Sequence, residues 1–291
     1  MRKVNWTVIA FLLCVGCGAV AVADSVKFRA SHDFSATNNP NGTWSYGYYP
    51  APLTLTPPIT TGVSFNTANF VLFTRTLKIG FPPLVTPSGV PVTTPIDVWL
   101  IDFVEPGNDP DLAHNPSTVD AQDRIPPPHL DTVFPAKTLV FHPGPGFKDP
   151  AHPTNPIGRF SVVRWTAPSD GKVKIKASFY GTATAPTSTD VHVLFNGTSF
   201  LNGNAIVHEF GPAGKVTFKK KHVPVAKGDK IEFVVGNGVP YITGDTGYTD
   251  DSTALAAVIK LFAPDDDEDE DDGDEDEDDG DEGDDEGGDG E

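Results

Sequence analysis

Between residues 26 and 262 the sequence consists of short runs of β-branched and aromatic residues separated by Gly, Pro, Asn and Asp. Such runs are typical of antiparallel strands, and helical periodicity is nearly absent. The clearest runs lie at residues 70–77, 96–104, 160–166, 172–180, 190–195, 215–223, 230–235 and 254–262. The fold must therefore be built from sheets.

Strict alternation at residues 172–177 indicates how those sheets pack. Lys172, Lys174 and Lys176 take one face of a strand and apolar residues take the other, so one face is wet and one is core. Proline clusters at 82–95, 126–128 and 143–156 mark connections, because proline cannot donate to a sheet ladder. The strand number, with no repeat of about 40–50 residues, predicts an all-β antiparallel two-sheet jelly-roll sandwich.

Charge is divided unequally along the chain. Of 291 residues, 40 are Asp or Glu and 21 are Lys or Arg, for a formal net charge of -19. Residues 265–291 hold 21 of these acids and otherwise only Gly, so the preceding body is electrically balanced. A balanced body argues against a basic nucleic-acid binder and makes acidity the property of one segment.

The first 23 residues have the layout of a secretory signal peptide. Arg2 and Lys3 precede an apolar run at residues 8–15, and an Ala-Val-Ala sequence ends at Ala23. We therefore expect cleavage after Ala23 and a secreted or cell-surface protein. An alternative is a lipoprotein acylated at Cys17; both cysteines fall in this segment, so no disulfide is expected after cleavage. No later segment reaches the ~18–20 apolar residues of a membrane span.

Three parts are therefore expected: a signal peptide (1–23), one β-sandwich domain (24–264) and an acidic C-terminal tail (265–291). The tail has no apolar residue to bury, which predicts disorder in isolation. It could gather Ca²⁺, adsorb to a mineral, engage a basic partner or serve as a soluble spacer. It could also fold back on lysines that otherwise guard a strand edge, namely Lys215, Lys219, Lys220 and Lys221.

Several segments form a familiar set: residues 44–48, 142–144, 160–168, 170–171, 189–197 and 251–255. Together they resemble the carbohydrate-binding-like, galactose-binding-like β-sandwich modules of secreted planctomycete-type bacterial proteins. The resemblance covers about residues 26–262 and is strongest after His142. It implies a sandwich fold and a non-catalytic binding role.

The best candidate for a sugar-stacking surface is aromatic. Trp44, Tyr46 and Tyr48 share one face if this stretch is extended, and flat aromatic rings suit the apolar side of a pyranose. The alternative is that these rings form a core edge or a lid on the sandwich. Both readings predict a strand here.

A second candidate is the strand at residues 190–196. Alternation places Asp190, His192, Leu194 and Asn196 on one face, where the polar members could bind a sugar hydroxyl or share a metal. Alternatively, the Asp190 and His192 pair anchors a neighbouring loop.

Calcium is a possible cofactor of one loop. Hard divalent cations prefer oxygen ligands, and five oxygen-bearing residues lie close together in sequence. They are Asp102, Glu105, Asn108, Asp109 and Asp111. A solvated loop without metal is the alternative.

Catalysis is less favoured than binding. Asp97, Asp102 and Glu105 are near in sequence, but glycoside hydrolysis needs two carboxylates fixed across a cleft, and the spacing does not place them. We predict a secreted non-enzymatic module that binds a glycan or extracellular-matrix surface, with a polyanionic tail for Ca²⁺ or basic partners. The alternative is a structural matrix or mineral-associated protein in which the tail is active, and a polysaccharide-active hydrolase is third.

Overall fold

The computed structural model describes residues 25–50, 65–80, 84–101, 110–123, 132–144, 160–184, 189–201, 205–208, 210–236 and 251–264. Within these ranges no helix is long and apolar enough to cross a membrane. Two single-turn 3-10 helices occur, at Thr67–Asn69 and Pro212–Gly214. The strands are β1 (Ser25–Arg29), β2 (Trp44–Tyr49), β3 (Val71–Leu72), β4 (Arg75–Ile79), β5 (Ile96–Leu100), β6 (Asp111–His114), β7 (Ala121–Gln122), β8 (Val133–Phe134), β9 (Leu139–His142), β10 (Phe160–Thr166), β11 (Gly171–Gly181), β12 (Thr189–Phe195), β13 (Thr198–Ser199), β14 (Ile206–Val207), β15 (Val216–Val225), β16 (Lys230–Val235) and β17 (Thr253–Phe262).

Most strands belong to two antiparallel sheets. The eight-stranded sheet has the order β15-β11-β17-β9-β6-β5-β4, and β1 also pairs with β17. The seven-stranded sheet has the order β13-β12-β16-β10-β2-β3, and β14 also pairs with β12. β7 and β8 form a separate pair. The predicted all-β antiparallel two-sheet sandwich is confirmed, and the early strands β1 and β2 belong to the same two sheets as the later ones.

The main core lies between the sheets. Its largest fully buried side chains come from both, and burial of this apolar surface is the main favourable term in folding. They include Trp44, Tyr46, Phe141, Phe179, Trp165 and Phe233. Smaller apolar clusters cover the outer side of each sheet, one around Ile96 and Val98 and the other around Phe160 and Val162.

Residues 65–70, here called the strap, cross the outer side of the seven-stranded sheet. The Phe65 N–H donates to the Gly197 carbonyl at 2.7 Å, and Phe65 and Phe70 pack into the apolar cluster there. A Cβ atom at Gly197 would collide with the Phe65 carbonyl, and one at Gly47 would collide with the Val71 carbonyl. Glycine at these two positions therefore permits the close approach.

Candidate functional site

One end of the sandwich gathers the ends of strands from both sheets. In the eight-stranded sheet Asp111 pairs with Leu100 and with His142, so the end of β5, the start of β6 and the end of β9 meet there. The start of β17 and the end of β11 meet at the same level through Thr253 and Gly181. We call this the polar end.

The two sheets are joined directly at the polar end. The Ser161 hydroxyl, on β10, donates to the carbonyls of Asp111 and His142 at 3.0 and 2.6 Å. The hydroxyls of Thr189 and Thr253 lie 2.7 Å apart and link β12 to β17. These buried hydrogen bonds fix the spacing of the sheets where apolar packing ends.

Most of the buried polar side chains among the described residues lie at this end. Burying a polar group without a hydrogen-bond partner costs free energy of folding. Such a concentration is therefore expected where the polar groups bond to one another or to a ligand. The set comprises Asp111, His142, Ser161, Thr182, Thr189, Asp190, His192, Asp251, Ser252 and Thr253.

Asp190 and His192 are brought together on the outer side of β12. Nε2 of His192 lies 2.7 Å from Oδ2 of Asp190, and both side chains are buried. The His192 ring packs edge-on against Phe65 and Phe160. The backbone also links them to the end of β16, because the Gly236 N–H donates to the Asp190 carbonyl at 2.8 Å. The pair is thus rigid, and its role in ligand binding stays a prediction.

Phe210 is an exposed aromatic side chain at the polar end. It is 50% exposed. Among the described residues, the other exposed large hydrophobic side chains are all valines. A β-bridge to Gly181 holds Phe210 beside the end of β11, and the following Gly211 N–H donates to the Gly181 carbonyl at 2.8 Å. A ring held by the backbone yet exposed to solvent can stack on a flat ligand.

A second polar cluster, the ion-pair network, lies under the strap on the outer side of the seven-stranded sheet. Nη2 of Arg164 lies 2.6 Å from Oε1 of Glu232, and the Tyr49 hydroxyl donates to the same carboxylate at 2.7 Å. Burial, and then the Glu232 charge, raise the pKa of Tyr49. Tyr49 therefore stays a neutral donor.

The strap closes this network from above. Nη2 of Arg164 donates to the Thr67 carbonyl at 3.1 Å, and its guanidinium carbon lies 3.8 Å from the centroid of the Phe70 ring. Glu232 is fully buried. With charge, hydrogen bonds and stacking all supplied by the chain itself, the network is structural.

The predicted aromatic platform is wrong for Trp44 and Tyr46. These side chains do share a face with Tyr48, but it is the face toward the main core. Trp44 is 1% exposed and Tyr46 is fully buried, so neither ring can stack on a sugar. Tyr48 is half-buried and packs against Phe73. Pairing of β2 with the central strand β10 is the physical reason, because it places this strand inside the sandwich.

Asn196 is also not a ligand residue in the predicted arrangement. It follows β12 with a φ of 50°, in a turn rather than on the strand face of Asp190 and His192. Its amide donates to Asp229 at 3.0 Å and its carbonyl accepts from the Lys230 N–H at 2.9 Å. Both polar groups of Asn196 thus hold a turn against the neighbouring hairpin.

The predicted calcium loop is only partly covered by the structure. Asp102, Glu105, Asn108 and Asp109 lie outside the described residues. Asp111 is buried in β6 at the polar end, beside His142. Within the described residues no group of three or more His, Cys, Asp or Glu could hold a metal ion. Calcium at this loop stays a prediction.

Sequence reasoning missed Phe210 and the ion-pair network. Phe210 lies in a stretch without strand alternation, and its only signal is an aromatic residue directly before Gly211 and Pro212. Arg164 and Glu232 are 68 residues apart, and their contact depends on the pairing of β10 with β16.

Comparisons with known proteins find distant structural similarity and no sequence relative. No protein-family model matches the chain, and no curated protein matches it. Among solved structures, it is similar to TmCBM61 in complex with β-1,4-galactotriose, with 13% identity and a TM-score of 0.25 over 43% of this chain and 70% of that one. It is also similar to the C-terminal CBM6 of LamC, a laminarinase from Zobellia galactanivorans, with 10% identity and a TM-score of 0.21 over 42% of this chain and 90% of that one.

A third similar structure is a larger enzyme, the isomalto-dextranase of Arthrobacter globiformis T6 complexed with panose. Identity is 8% and the TM-score is 0.24, over 64% of this chain and 32% of that one. All three similarities are distant ones, to carbohydrate-binding modules or to a carbohydrate-active enzyme. They are too weak to assign a ligand, which has to be argued from the chain's own residues.

Proposed function

We propose that the sandwich is a non-catalytic module that binds a glycan at the polar end. The observation that carries this proposal is the position of Phe210, a half-exposed ring at the end where buried polar side chains concentrate. A sugar presents an apolar ring face and a rim of hydroxyls, so it needs an aromatic surface beside polar groups.

A binding role fits these carboxylates better than catalysis does. Glycoside hydrolysis requires one carboxyl group as acid and another as base or nucleophile across a cleft. The Glu232 carboxylate is bound by Arg164 and Tyr49 under the strap, and the Asp190 carboxylate is bound by His192. Neither carboxylate is presented to a cleft for this chemistry.

The test is binding of soluble polysaccharides to the full chain and to Phe210→Ala. A panel of β-galactan, β-glucan and α-glucan is used in affinity electrophoresis or calorimetry. Stacking of this kind is worth about 0.5–1.5 kcal/mol, so Phe210→Ala should weaken binding by about two- to tenfold. The matched control is Val26→Ala, an exposed apolar side chain on β1 that pairs with Leu261, at the other end of β17 from Thr253, and it should bind as the wild type does.

Two results would reject the glycan proposal. One is the absence of binding to every polysaccharide in the panel. The other is unchanged affinity in Phe210→Ala, which would move the binding site away from the polar end.

A second candidate function rests on the acidic segment, residues 265–291. Its 27 residues contain 21 acids and six glycines, which suits weak multivalent binding of Ca²⁺, a mineral surface or a basic partner. On this reading the protein is a matrix or mineral-associated protein, and the sandwich displays the segment. The basic, apolar and small-residue order of residues 1–23 supports a location outside the cell for either function.

Calorimetric titration with Ca²⁺ tests this candidate. The comparison is the full chain against a chain of equal length in which the acids of residues 265–291 are replaced by Ser. Loss of the Ca²⁺ signal supports the second candidate, whereas an unchanged signal assigns the metal to the sandwich.

A further inference from the structure

Four neighbouring strands of the eight-stranded sheet, in the order β1-β17-β11-β15, carry a set of cations on their outer side. Alternation defines the side, because Phe28, Ile259, Ile175 and Phe218 on the same strands contribute to the main core. The opposite side bears the residues that we call the basic face. They are Lys27, Arg29, Lys172, Lys174, Lys176, Lys219 and Lys260.

The strand register places like charges directly opposite one another. Lys260 pairs with Lys27 on one side and with Lys174 on the other. Lys176 pairs with Lys219 in the adjoining part of the sheet. Directly opposed like charges destabilise a sheet, so this arrangement opposes folding.

The countercharge cannot come from these strands. Their sequences, SVKFR, GKVKIKASFYG, VTFKKKHVPV and TALAAVIKLF, contain no Asp or Glu. It has to be supplied by another part of the chain or by a partner.

The acidic segment begins beside the basic face. The last residue of β17, Phe262, lies on that face, with Nζ of Lys260 and of Lys174 at 4.8 and 5.3 Å from its ring centroid. Two residues, Ala263 and Pro264, separate Phe262 from the start of the segment. A dense run of carboxylates is thus tethered at one end of a dense set of cations.

We propose that the basic face is the docking surface of the acidic segment, residues 265–291, of the same chain. The tether makes this encounter intramolecular, so its effective concentration exceeds that of a free polyanion of similar charge. The contact is multivalent and depends on the number of charges rather than on one pair.

The acidic segment is long enough to cover the basic face. Four strands at about 4.8 Å spacing make a face about 14 Å wide, and residues 172–176 extend about 13 Å along β11. An extended segment of 27 residues reaches at most about 90 Å, so it can cross this face more than once. An external polyanion would have to displace the segment before it could bind here.

Zero-length carbodiimide cross-linking of the full chain tests the proposal, because it joins only lysines and carboxylates in direct contact. Mass spectrometry should find residues 265–291 linked mainly to lysines of the basic face. Lys78 and Lys137, which lie elsewhere, should be linked at least severalfold less. High salt should reduce the face-specific links, because no cation of the basic face is buried.

A charge-reversal variant supplies the matched comparison. Lys27→Glu with Lys176→Glu replaces like-charged pairs by ion pairs with Lys260 and Lys219, so the sheet is expected to fold. Links from the segment to Lys174, Lys219 and Lys260 should fall severalfold. The control, Arg75→Glu with Lys137→Glu, changes the net charge equally at exposed positions off the face and should retain these links.

Mixing ¹⁴N and ¹⁵N protein identifies the occupant. Links within one isotope support the proposal, whereas links predominantly between isotopes would overturn it in favour of a second copy of the chain. Equal linking of all lysines would also overturn it. Binding of dextran sulfate to the full chain, with no face-specific cross-links from residues 265–291, would assign the face to an external polyanion instead. Phe210→Ala should leave the cross-links unchanged, which separates this test from that of glycan binding.

Discussion

The outer sides of the two sheets deal with charge in opposite ways. On the seven-stranded sheet, Arg164 is buried against Glu232 and closed over by the strap. On the eight-stranded sheet, Lys260 stands between Lys27 and Lys174 with no carboxylate on the neighbouring strands. The first side satisfies its charges within the fold, and the second sets like charges directly opposite one another. A charged sheet face is therefore informative about binding only after its internal partners have been identified.

The largest expected effect follows from removing one partner of the ion-pair network. Glu232→Gln leaves the Arg164 charge buried without its carboxylate, and such changes cost about 3–5 kcal/mol. Urea denaturation should record a loss of this size. The double substitution Arg164→Met with Glu232→Leu should recover much of it, because it removes both charges. A loss below about 1 kcal/mol in Glu232→Gln would mean that the network is not closed, and the contrast between the two faces would fail.

The strap gives the next largest effect. Gly197→Ala adds a Cβ at a positive φ of 86° and against the Phe65 carbonyl, so the strap must move. We expect a loss of roughly 2–4 kcal/mol in thermal or urea unfolding, from strain and collision together. Gly228→Ala is the matched control, since its φ is 93° but nothing lies near the added Cβ. Equal costs at the two positions would show that the strap is not held by this approach.

On the inner side of the eight-stranded sheet, the titratable residue His114 is kept neutral by burial. Burial lowers the pKa of His114 to about 4, with opposing contributions from Asp97, which raises it, and Lys137, which lowers it. The His114 ring also packs against Phe34, with ring centroids 4.6 Å apart. His114 is thus kept neutral rather than paired.

This neutrality predicts a pH dependence with a definite sign. Below about pH 6.5 the unfolded chain gains a proton at His114 that the folded chain does not, so stability falls from pH 6.5 to about 4 and this contribution then levels off. Because the ring is only half-buried, we expect about 1–2 kcal/mol. His114→Gln should remove this part of the pH dependence in denaturant titrations. A profile that is unchanged in His114→Gln would assign the effect to other groups.

The sequence predicts one face well and the other poorly, for a physical reason. Strict alternation at Lys172, Lys174 and Lys176 identifies a wet face directly. β10, in contrast, is buried on both sides, and its nearly continuous apolar run does not reveal which side Arg164 takes. The same ambiguity hid the inward orientation of Trp44 and Tyr46.

Short strands and long-range contacts were beyond the sequence pattern as well. β6 and β9 have four residues each and show no alternation, so only their pairing in the sheet identifies them. The polar end is likewise assembled from strands far apart in the chain. Composition nevertheless located the acidic segment, because a run without apolar residues is recognisable without any contact.

The smallest expected effect concerns Tyr49, the third member of the ion-pair network. Tyr49→Phe removes a hydroxyl that donates to Glu232 at 2.7 Å and should cost about 1 kcal/mol. Tyr46→Phe is the matched control on the other face of β2, where the hydroxyl donates at 3.4 Å to the Asp33 carbonyl, and it should cost less. Because the network is buried, the cost of Tyr49→Phe should be the same at low and high salt, whereas cross-links at the basic face should weaken with salt. A cost for Tyr49→Phe that disappears in high salt would place the network in contact with solvent, and the two faces would then differ in net charge but not in exposure to solvent.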